Sequence, residues 1–197
     1  MDIFNKISPE RLQEMLNAGF LCFGRDGYQK AAMSEIAAQA GISKALLFHY
    51  FGTKKKLYEY LYQYACNEII REMTEGSEDF FDCIRLGTQI KLRVMMKHPG
   101  MYDFLLSLVS ETSDQIEHLK GLNFEAVNQA LTLLFARVDW TRFRQEYDRA
   151  SIMELVSWIS DGCIRQYSST KSGDEIAAIL DQHMLTIKRV LYKEEYV

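Results

Sequence analysis

Proline is almost absent from the sequence, and this scarcity limits the possible folds more than any other feature. The 197 residues include only two prolines, Pro9 and Pro99. Proline is the residue that most strongly opposes the interior of a helix, and no segment shows the alternation of apolar and polar residues that is typical of a half-buried strand. The sequence therefore predicts an all-α fold of about nine helices, with a hydrophobic content of 48% to fill its core.

Helix limits follow from caps, breakers and apolar residues at helical spacing. Ser8, Pro9 and Glu10 are typical of a helix start, because they supply a hydroxyl cap, a residue without an amide hydrogen and an acid in the first turn. Glycines and the Pro99 break separate the later helices. The predicted helices span residues 8–25, 34–40, 43–51, 54–75, 78–98, 101–110, 114–138, 143–169 and 174–193.

Residues that could support catalysis or bind a metal are few and scattered. The four cysteines form no CxxC pair, and successive histidines lie at least twenty residues apart. The sequence has no phosphate loop, nucleophile elbow, zinc-binding HExxH or dinucleotide glycine motif. We therefore expect no enzymatic activity, no metal and no cofactor.

Nothing in the sequence indicates export or membrane insertion. No apolar run approaches the roughly 20 residues that span a bilayer, and the first residues lack the charged and then apolar build of a secretion signal. We expect a cytoplasmic protein without a membrane partner.

Charge is distributed unevenly along the chain. The net charge of −4 argues against a polyanionic partner, but residues 1–56 hold eight basic and five acidic side chains, against fifteen and twenty-two in residues 57–197. Only the first quarter of the chain therefore suits a polyanion such as double-stranded DNA.

The segment from Met33 to Phe51 has the residues of two short helices joined by a tight turn. The small side chain of Ala37 allows close helix approach, and Gly41 can end the first helix with a left-handed backbone. Ser43 is suited to cap the second helix. This order predicts a helix-turn-helix.

The second helix of this pair would present one buried face and one free face. At 100° per residue, Leu47 and Phe51 share one side and His49 lies opposite. A free face with so little charge suits insertion into a major groove, where an apolar side chain can touch a thymine methyl and a lysine can reach guanine. The candidate base-contacting residues are Lys44, Ala45, Leu46 and His49.

Phosphate contacts have their own candidates. A lysine run begins the fourth helix, where free amides and positive side chains can meet the same backbone oxygens, and several hydroxyl residues lie nearby. The candidate phosphate-contacting residues are Ser34, Ser43, Tyr50, Thr53 and Lys54. Taken singly, each is better explained by a packing or solvated surface role, and only their joint order favours DNA.

Residues 8–61 resemble the DNA-binding domain of the tetracycline-repressor (TetR) family. The matching residues are Ala18, Phe23, Gly27, Tyr28, Ile36, Ala37, Ala40, Gly41, Ile42, Ser43, Lys44, Leu47, Phe48, Tyr50, Phe51, Lys54 and Leu57. Two residues depart from the family pattern. Ala32 stands where a helix-capping Thr is frequent, and Phe48 stands where Tyr is more usual, so two phosphate contacts lack their hydroxyl.

The resemblance implies a homodimeric, ligand-responsive repressor that a small molecule releases from a near-palindromic operator. It implies a DNA-binding domain over residues 1–53 and an effector-binding and dimerisation domain over residues 54–197. Positions corresponding to Lys44, Ala45 and His49 would approach bases. Those corresponding to Ser34, Tyr50 and Lys54 would hold phosphates, and the paired third helices would enter successive major grooves.

Two apolar stripes near the end of the chain are candidates for the dimer interface. One comprises Ile152, Leu155, Val156, Ile159, Gly162, Cys163 and Tyr167, and the other comprises Ile176, Leu180, Met184, Ile187 and Leu191. Two such helices and their symmetry mates would build a four-helix bundle. The alternative is that both stripes cover the core of the protomer itself.

An effector cavity is implied by the resemblance, for a small apolar or amphipathic molecule. Its candidate lining residues are Met95, Tyr102, Phe104, Leu105, Phe124, Asn128 and Trp158, although core packing explains any one of them better than a cavity does. The break at His98, Pro99 and Gly100 would be a pivot between cavity and DNA-binding domain. The competing functional hypothesis is a helical ligand-binding or adaptor protein that has lost DNA binding, for which Ala32 and Phe48 are the support.

Overall fold

The computed structural model describes residues 7–167 and 170–197, apart from the side chains of residues 109, 110, 122–124, 126 and 127. Within this part of the chain the backbone is helical and forms no β-strand, so the predicted all-α fold is confirmed. The α-helices are α1 (Pro9–Lys30), α2 (Met33–Gln39), α3 (Lys44–Phe51), α4 (Lys54–Glu72), α5 (Phe80–Lys97), α6 (Met101–Ser110), α7 (His118–Leu134), α8 (Arg149–Tyr167) and α9 (Gly173–Leu191).

Helix starts use the side-chain caps that the sequence indicates. The hydroxyl of Ser8 accepts from the Arg11 amide at 3.2 Å, and that of Ser43 accepts from the Leu46 amide at 3.1 Å. At α9, Ser172 and Glu175 form a reciprocal capping box. These bonds satisfy amides that have no partner inside the helix, which fixes where each helix begins.

Several helix limits differ from the predicted ones: α7 spans His118–Leu134 rather than 114–138, and the largest differences are at the end of α1 and the start of α8. α1 continues to Lys30, but Gly27 interrupts it with a φ of 72°, so the predicted stop is present as a kink. α8 begins at Arg149 rather than 143, because the Asp148 carboxylate caps it by accepting from the Ser151 amide at 3.0 Å. Phe143 instead forms an isolated antiparallel bridge with Tyr192.

The helices cluster into two compact units with bounds other than the predicted 1–53 and 54–197. Unit 1 comprises the described residues up to Arg71 and the segment Val94–Gln129. Unit 2 comprises Glu72–Arg93 and Ala130–Val197. α6 therefore belongs to the same compact unit as the helix-turn-helix.

Unit 1 is built on close packing between α1 and α6. A Cβ added to Gly100 would lie 2.8 Å from the backbone N and Cα of Leu21, and one added to Gly24 would lie 2.9 Å from the Phe104 amide nitrogen. Beside these contacts the Tyr58 ring centroid lies 4.7 Å from that of Phe104. The two glycines thus allow a backbone-to-backbone approach that any side chain would prevent.

Unit 2 has an aromatic core joined to an ion-pair cluster. Phe143 and Tyr192 stack edge to face with ring centroids 4.7 Å apart, and the Tyr192 hydroxyl accepts from the Phe80 amide at 3.1 Å. Next to them, Lys188 donates to the Asp79 carboxylate at 2.7 Å, which keeps the pKa of Asp79 below its usual value despite its burial. These contacts fasten the start of α5 to the end of α9.

None of the helices in the described part of the chain combines the length and the apolar character needed to cross a membrane.

Candidate nucleic-acid interface

α2 and α3 form a helix-turn-helix held by buried apolar and small residues. Gly41 adopts a φ of 65° in the turn, and the Ile42 amide donates to the Ala37 carbonyl at 2.9 Å. Ile36 and Leu47 have no exposed surface. The turn is therefore closed by the residue types that the sequence places there.

The two faces of α3 are those that the sequence predicts. Leu47 and Phe51 are buried, whereas the four candidate base-contacting residues are exposed. Leu46, with 37% of its surface exposed, is an apolar side chain presented to solvent. The Lys44 ammonium lies 5.8 Å from the centroid of the Phe48 ring, on the same free side. The contacts of these residues with DNA remain a prediction.

The candidate phosphate-contacting residues lie around this face. Ser34, Ser43 and Thr53 are exposed and Tyr50 is half-buried. Lys54 is more constrained than expected, because its ammonium donates to the Gln29 carbonyl at 3.0 Å and lies 5.0 Å from the Tyr28 ring centroid. Burial lowers the pKa of Lys54. Lys54 therefore ties the start of α4 to the end of α1, in addition to any phosphate contact.

α1 is also tied to α2 by an arginine. The Arg25 guanidinium hydrogen-bonds to the carboxylates of Asp26 and Glu35. The bond from Arg25 holds the pKa of Asp26 below its usual value. This link adds rigidity to the frame that presents α3.

Two residues of unit 1 that the sequence does not predict as functional contact the end of α1. Glu111 and Gln115, which follow α6, hydrogen-bond to the backbone amide and the hydroxyl of Tyr28 respectively. They lie 83 and 87 residues from Tyr28 along the chain. No local sequence pattern indicates a contact over such separations.

The predicted dimer stripes are divided between the core and the surface of unit 2. Seven of the twelve residues are core residues: Ile152, Val156, Cys163, Ile176, Leu180, Met184 and Leu191. They have almost no surface left to bury against a second copy, so for them the alternative interpretation as protomer core describes the structure. Ile159, Tyr167 and Ile187 are half-buried, and Leu155 and Gly162 are exposed.

The predicted cavity residues differ widely in how far they are buried. Phe104 is fully buried in the aromatic core of unit 1, and Asn128 is exposed. Trp158 belongs to unit 2 and has 66% of its surface exposed. Met95, Tyr102 and Leu105 are half-buried in unit 1, and the Phe124 side chain lies outside the described residues.

Unit 2 contains a different cavity, of about 540 Å³. It is lined by Met73, Ile84, Gly87, Thr88, Lys91, Leu131, Leu134, Phe135, Ala150, Met153, Glu154, Val156, Ser157 and Ser160. Most of this lining is apolar. Lys91 forms an ion pair with Asp161 at 3.1 Å, which joins α5 to α8 beside the cavity.

The predicted pivot at residues 98–100 is held by side-chain contacts within unit 1. His98 is fully buried, with its Nδ1 3.3 Å from the Asn17 side-chain oxygen and its Nε2 3.3 Å from the Tyr64 hydroxyl. Burial lowers the pKa of His98, so the neutral ring is favoured. The backbone turns at Gly100, whose φ is 81°.

Among the described residues, no group of three or more His, Cys, Asp or Glu side chains is arranged to hold a metal ion.

A family model and curated relatives match this chain. The model of bacterial regulatory proteins of the tetR family matches residues 15–61. The chain is 26% identical over 184 residues to the HTH-type transcriptional repressor AcnR of Corynebacterium efficiens, covering 90% of this chain and 92% of AcnR. It is 41% identical over 51 residues to the HTH-type transcriptional regulator BetI of Rhizobium meliloti, covering 26% of this chain and 25% of BetI.

Solved structures share the fold over nearly the whole chain. A TetR family transcriptional regulator from Chloroflexus aurantiacus superposes with a TM-score of 0.65 at 15% identity, over 98% of this chain and 99% of that one. NalD, the secondary repressor of the MexAB-OprM multidrug efflux pump in Pseudomonas aeruginosa, superposes with a TM-score of 0.60 at 15% identity, over 95% and 100%. The chain therefore carries a DNA-binding domain that matches the tetR family over residues 15–61, is similar along its length to a transcriptional repressor, and has the fold of TetR family transcriptional regulators.

Proposed function

We propose that this regulator is a homodimeric repressor that reads a near-palindromic operator with two copies of α3 and leaves it when a small molecule binds. The observation that carries the proposal is the free face of α3. Leu47 and Phe51 anchor the helix, while Lys44 and Leu46 face solvent in the basic part of the chain. A short, exposed, weakly charged helix on a rigid frame suits the major groove. Nothing comparable supports the alternative adaptor role.

Salt-dependent binding to DNA upstream of its own gene tests operator recognition. We expect the logarithm of the binding constant to fall linearly with the logarithm of salt concentration, because each phosphate contact releases counterions. Lys54→Ala should weaken binding to all sequences and reduce this slope by about 1 per subunit. Lys44→Ala should instead reduce discrimination against mutated operators by about 1–3 kcal/mol per half-site. Fluorescence anisotropy across a salt series measures both quantities.

Lys120→Ala is the matched control, because Lys120 lies on α7 and pairs with Glu117 on the surface. It should change neither the slope nor the discrimination. Binding that is absent, or flat across the salt series, would favour the adaptor, and parental behaviour of both α3–α4 lysine variants would contradict the contact assignments.

The cavity of unit 2 is the proposed effector site. Its volume falls within the ~300–1,000 Å³ that is usual for small-molecule sites, and a mainly apolar lining with few polar groups is typical of them. Thr88 and Ser160 are buried hydroxyl residues of this lining. Since the Ser160 hydroxyl already donates to the Val156 carbonyl at 2.8 Å, we assign Thr88 to the polar group of an amphipathic ligand.

Substitution of Thr88 tests the cavity with octanol, octylamine and octanoate as probes. We expect at least one of them to release the operator complex. Thr88→Val keeps the shape and removes the hydroxyl, so it should raise the half-effective concentration about 2–12-fold, the worth of one hydrogen bond. Thr88→Leu also fills space and should raise it further. Operator affinity without probe should stay at the parental value in both variants.

The comparison of the three probes reports which head group the cavity accepts. If no probe releases the complex, or if Thr88→Leu responds like the parent, the effector does not bind in this cavity as an amphipathic molecule.

A further inference from the structure

We propose that Glu111 is a positioning residue for operator binding, whose carboxylate holds the corner at the end of α1, just before α2, and so sets the orientation of the helix-turn-helix. The inference rests on the proposed function in one respect, namely that DNA is the partner. We define the corner as residues 27–30, between the kink in α1 and the end of that helix.

The kink creates an amide that needs a partner. Gly27 has a φ of 72° and a ψ of 173°, which takes the backbone out of the helical conformation. The amide that follows, that of Tyr28, donates to Oε2 of Glu111 at 2.7 Å. A hydrogen bond to an ionised carboxylate is shorter and about twice as strong as one between neutral groups. The corner is thus fastened to a charged side chain from the segment after α6.

The carboxylate itself is held in place. Its other oxygen, Oε1, accepts from the Thr112 amide at 3.0 Å and from the Ser113 amide at 3.3 Å. Glu111 therefore joins two backbone segments, one on each oxygen. A side chain bonded at both oxygens loses little further freedom when it holds its partner, which favours a fixed position of the corner.

Other contacts surround the same corner. The Tyr28 hydroxyl donates to Oε1 of Gln115 at 2.6 Å, and the Tyr28 side chain is buried. Lys54 of α4 also contacts the corner, because its ammonium donates to the Gln29 carbonyl and lies over the Tyr28 ring. The corner is held between the segment after α6 and the start of α4, and Lys54 is also a proposed phosphate contact.

The segment after α6 is a firm base for this contact. Gly24 and Gly100 bring α1 and α6 into backbone contact, so α6 cannot shift along α1 without a clash. α2 begins at Met33, five residues beyond Tyr28. A displaced corner therefore displaces α2, and α3 with it, and contacts with base edges are lost when a reading helix is misplaced.

Glu111 differs from a phosphate contact in the sign of its charge. A carboxylate repels phosphate rather than binding it, and the negative charge of Glu111 acts to raise the pKa of Lys54. Loss of Glu111 should therefore weaken specific binding while leaving non-specific binding unchanged or slightly stronger. Simple loss of folded protein would lower both affinities by the same factor.

The test compares Glu111→Ala, Glu111→Gln and the control Glu117→Ala in the full chain. Glu117 is an exposed carboxylate of unit 1 that pairs with Lys120. We expect Glu111→Ala to reduce operator affinity at least tenfold, with unchanged affinity for a scrambled duplex. Glu111→Gln keeps one acceptor oxygen for the Tyr28 amide and should recover part of the loss. Glu117→Ala should match the parent in both measurements.

The outcomes separate the inference from the function on which it rests. If the parental protein does not prefer operator over scrambled duplex, the proposed function fails. If the parent shows the preference and Glu111→Ala keeps the same ratio of affinities, whether through parental binding or through equal loss on both duplexes, the positioning role is overturned. Circular dichroism melts of each variant establish that the folded protein is being compared.

Discussion

Replacement of Gly100 by alanine is expected to destabilise the protein by about 2–5 kcal/mol. The backbone of Gly100 is left-handed, with a φ of 81°, which costs an L-residue roughly 1–2 kcal/mol. The new Cβ would also lie 2.8 Å from the backbone of Leu21, and overpacking against atoms that cannot rotate away costs a further ~1–3 kcal/mol. Urea denaturation followed by circular dichroism measures the change.

Gly41→Ala is the control that separates the two contributions. Gly41 also has a positive φ, of 65°, but its added Cβ would meet only the flexible Arg11 side chain at 3.7 Å. It should lose only the conformational part, about 1–2 kcal/mol. Equal losses at both positions would show that the α1–α6 contact tolerates a side chain, and that these helices are packed less closely than the structure has them.

Trp158→Glu is expected to convert the dimer to a monomer at micromolar concentration. We propose that Trp158 lies at the dimer interface, on the face of α8 that also carries Leu155 and Gly162. Trp158 and Leu155 are exposed, and a Cβ added to Gly162 would meet nothing within 4 Å. Leu185 and Val190 of α9 add exposed apolar surface. A second copy is the occupant that fits, since regulators of this family dimerise.

The expected size of the effect follows from the chemistry of interfaces. A buried Trp anchor commonly contributes at least ~2 kcal/mol, and an isologous dimer loses the anchor in both subunits. The substituted carboxylate also has to be desolvated. We therefore expect a rise of roughly 1,000-fold in the dimer dissociation constant, measured by sedimentation velocity over a concentration series, with a parallel loss of operator affinity.

Met96→Glu provides the comparison for surface charge. Met96 is even more exposed, at 76%, but lies on α5 in unit 1. This variant should remain dimeric. A dimeric Trp158→Glu protein, or a monomeric Met96→Glu protein, would place the interface elsewhere.

The helix-turn-helix was predictable from the sequence because it is formed by interactions between residues close together in the chain. Gly41, Ser43 and Leu47 act through neighbours within a few residues, so their spacing already carries the geometry. The exposed side of α3 follows from the same periodicity. The start of α8 was predicted six residues too early, although Asp148 and Ser151 have the spacing of a cap.

Contacts between distant segments were not predictable in the same way. The periodicity of α8 and α9 shows that one face is apolar, but not whether the protomer or a second copy covers it. Here Phe143 and Tyr192, which approach from flanking segments, belong to the same core as Ile152 and Leu180. The lining of the cavity could not be predicted either, because it comes from helices that are far apart in sequence.

The discontinuity of unit 1 bears on how the protein forms during translation. The chain leaves this unit at Arg71 and returns at Val94, so α6 is synthesised well after α1 and α4. Until α6 leaves the ribosome, the aromatic side chains of Phe20 and Phe23 lack Phe104, their neighbour in the finished core. We therefore expect the nascent unit 1 to be an incompletely folded intermediate that exposes apolar surface. Such surface promotes aggregation and is what chaperones bind.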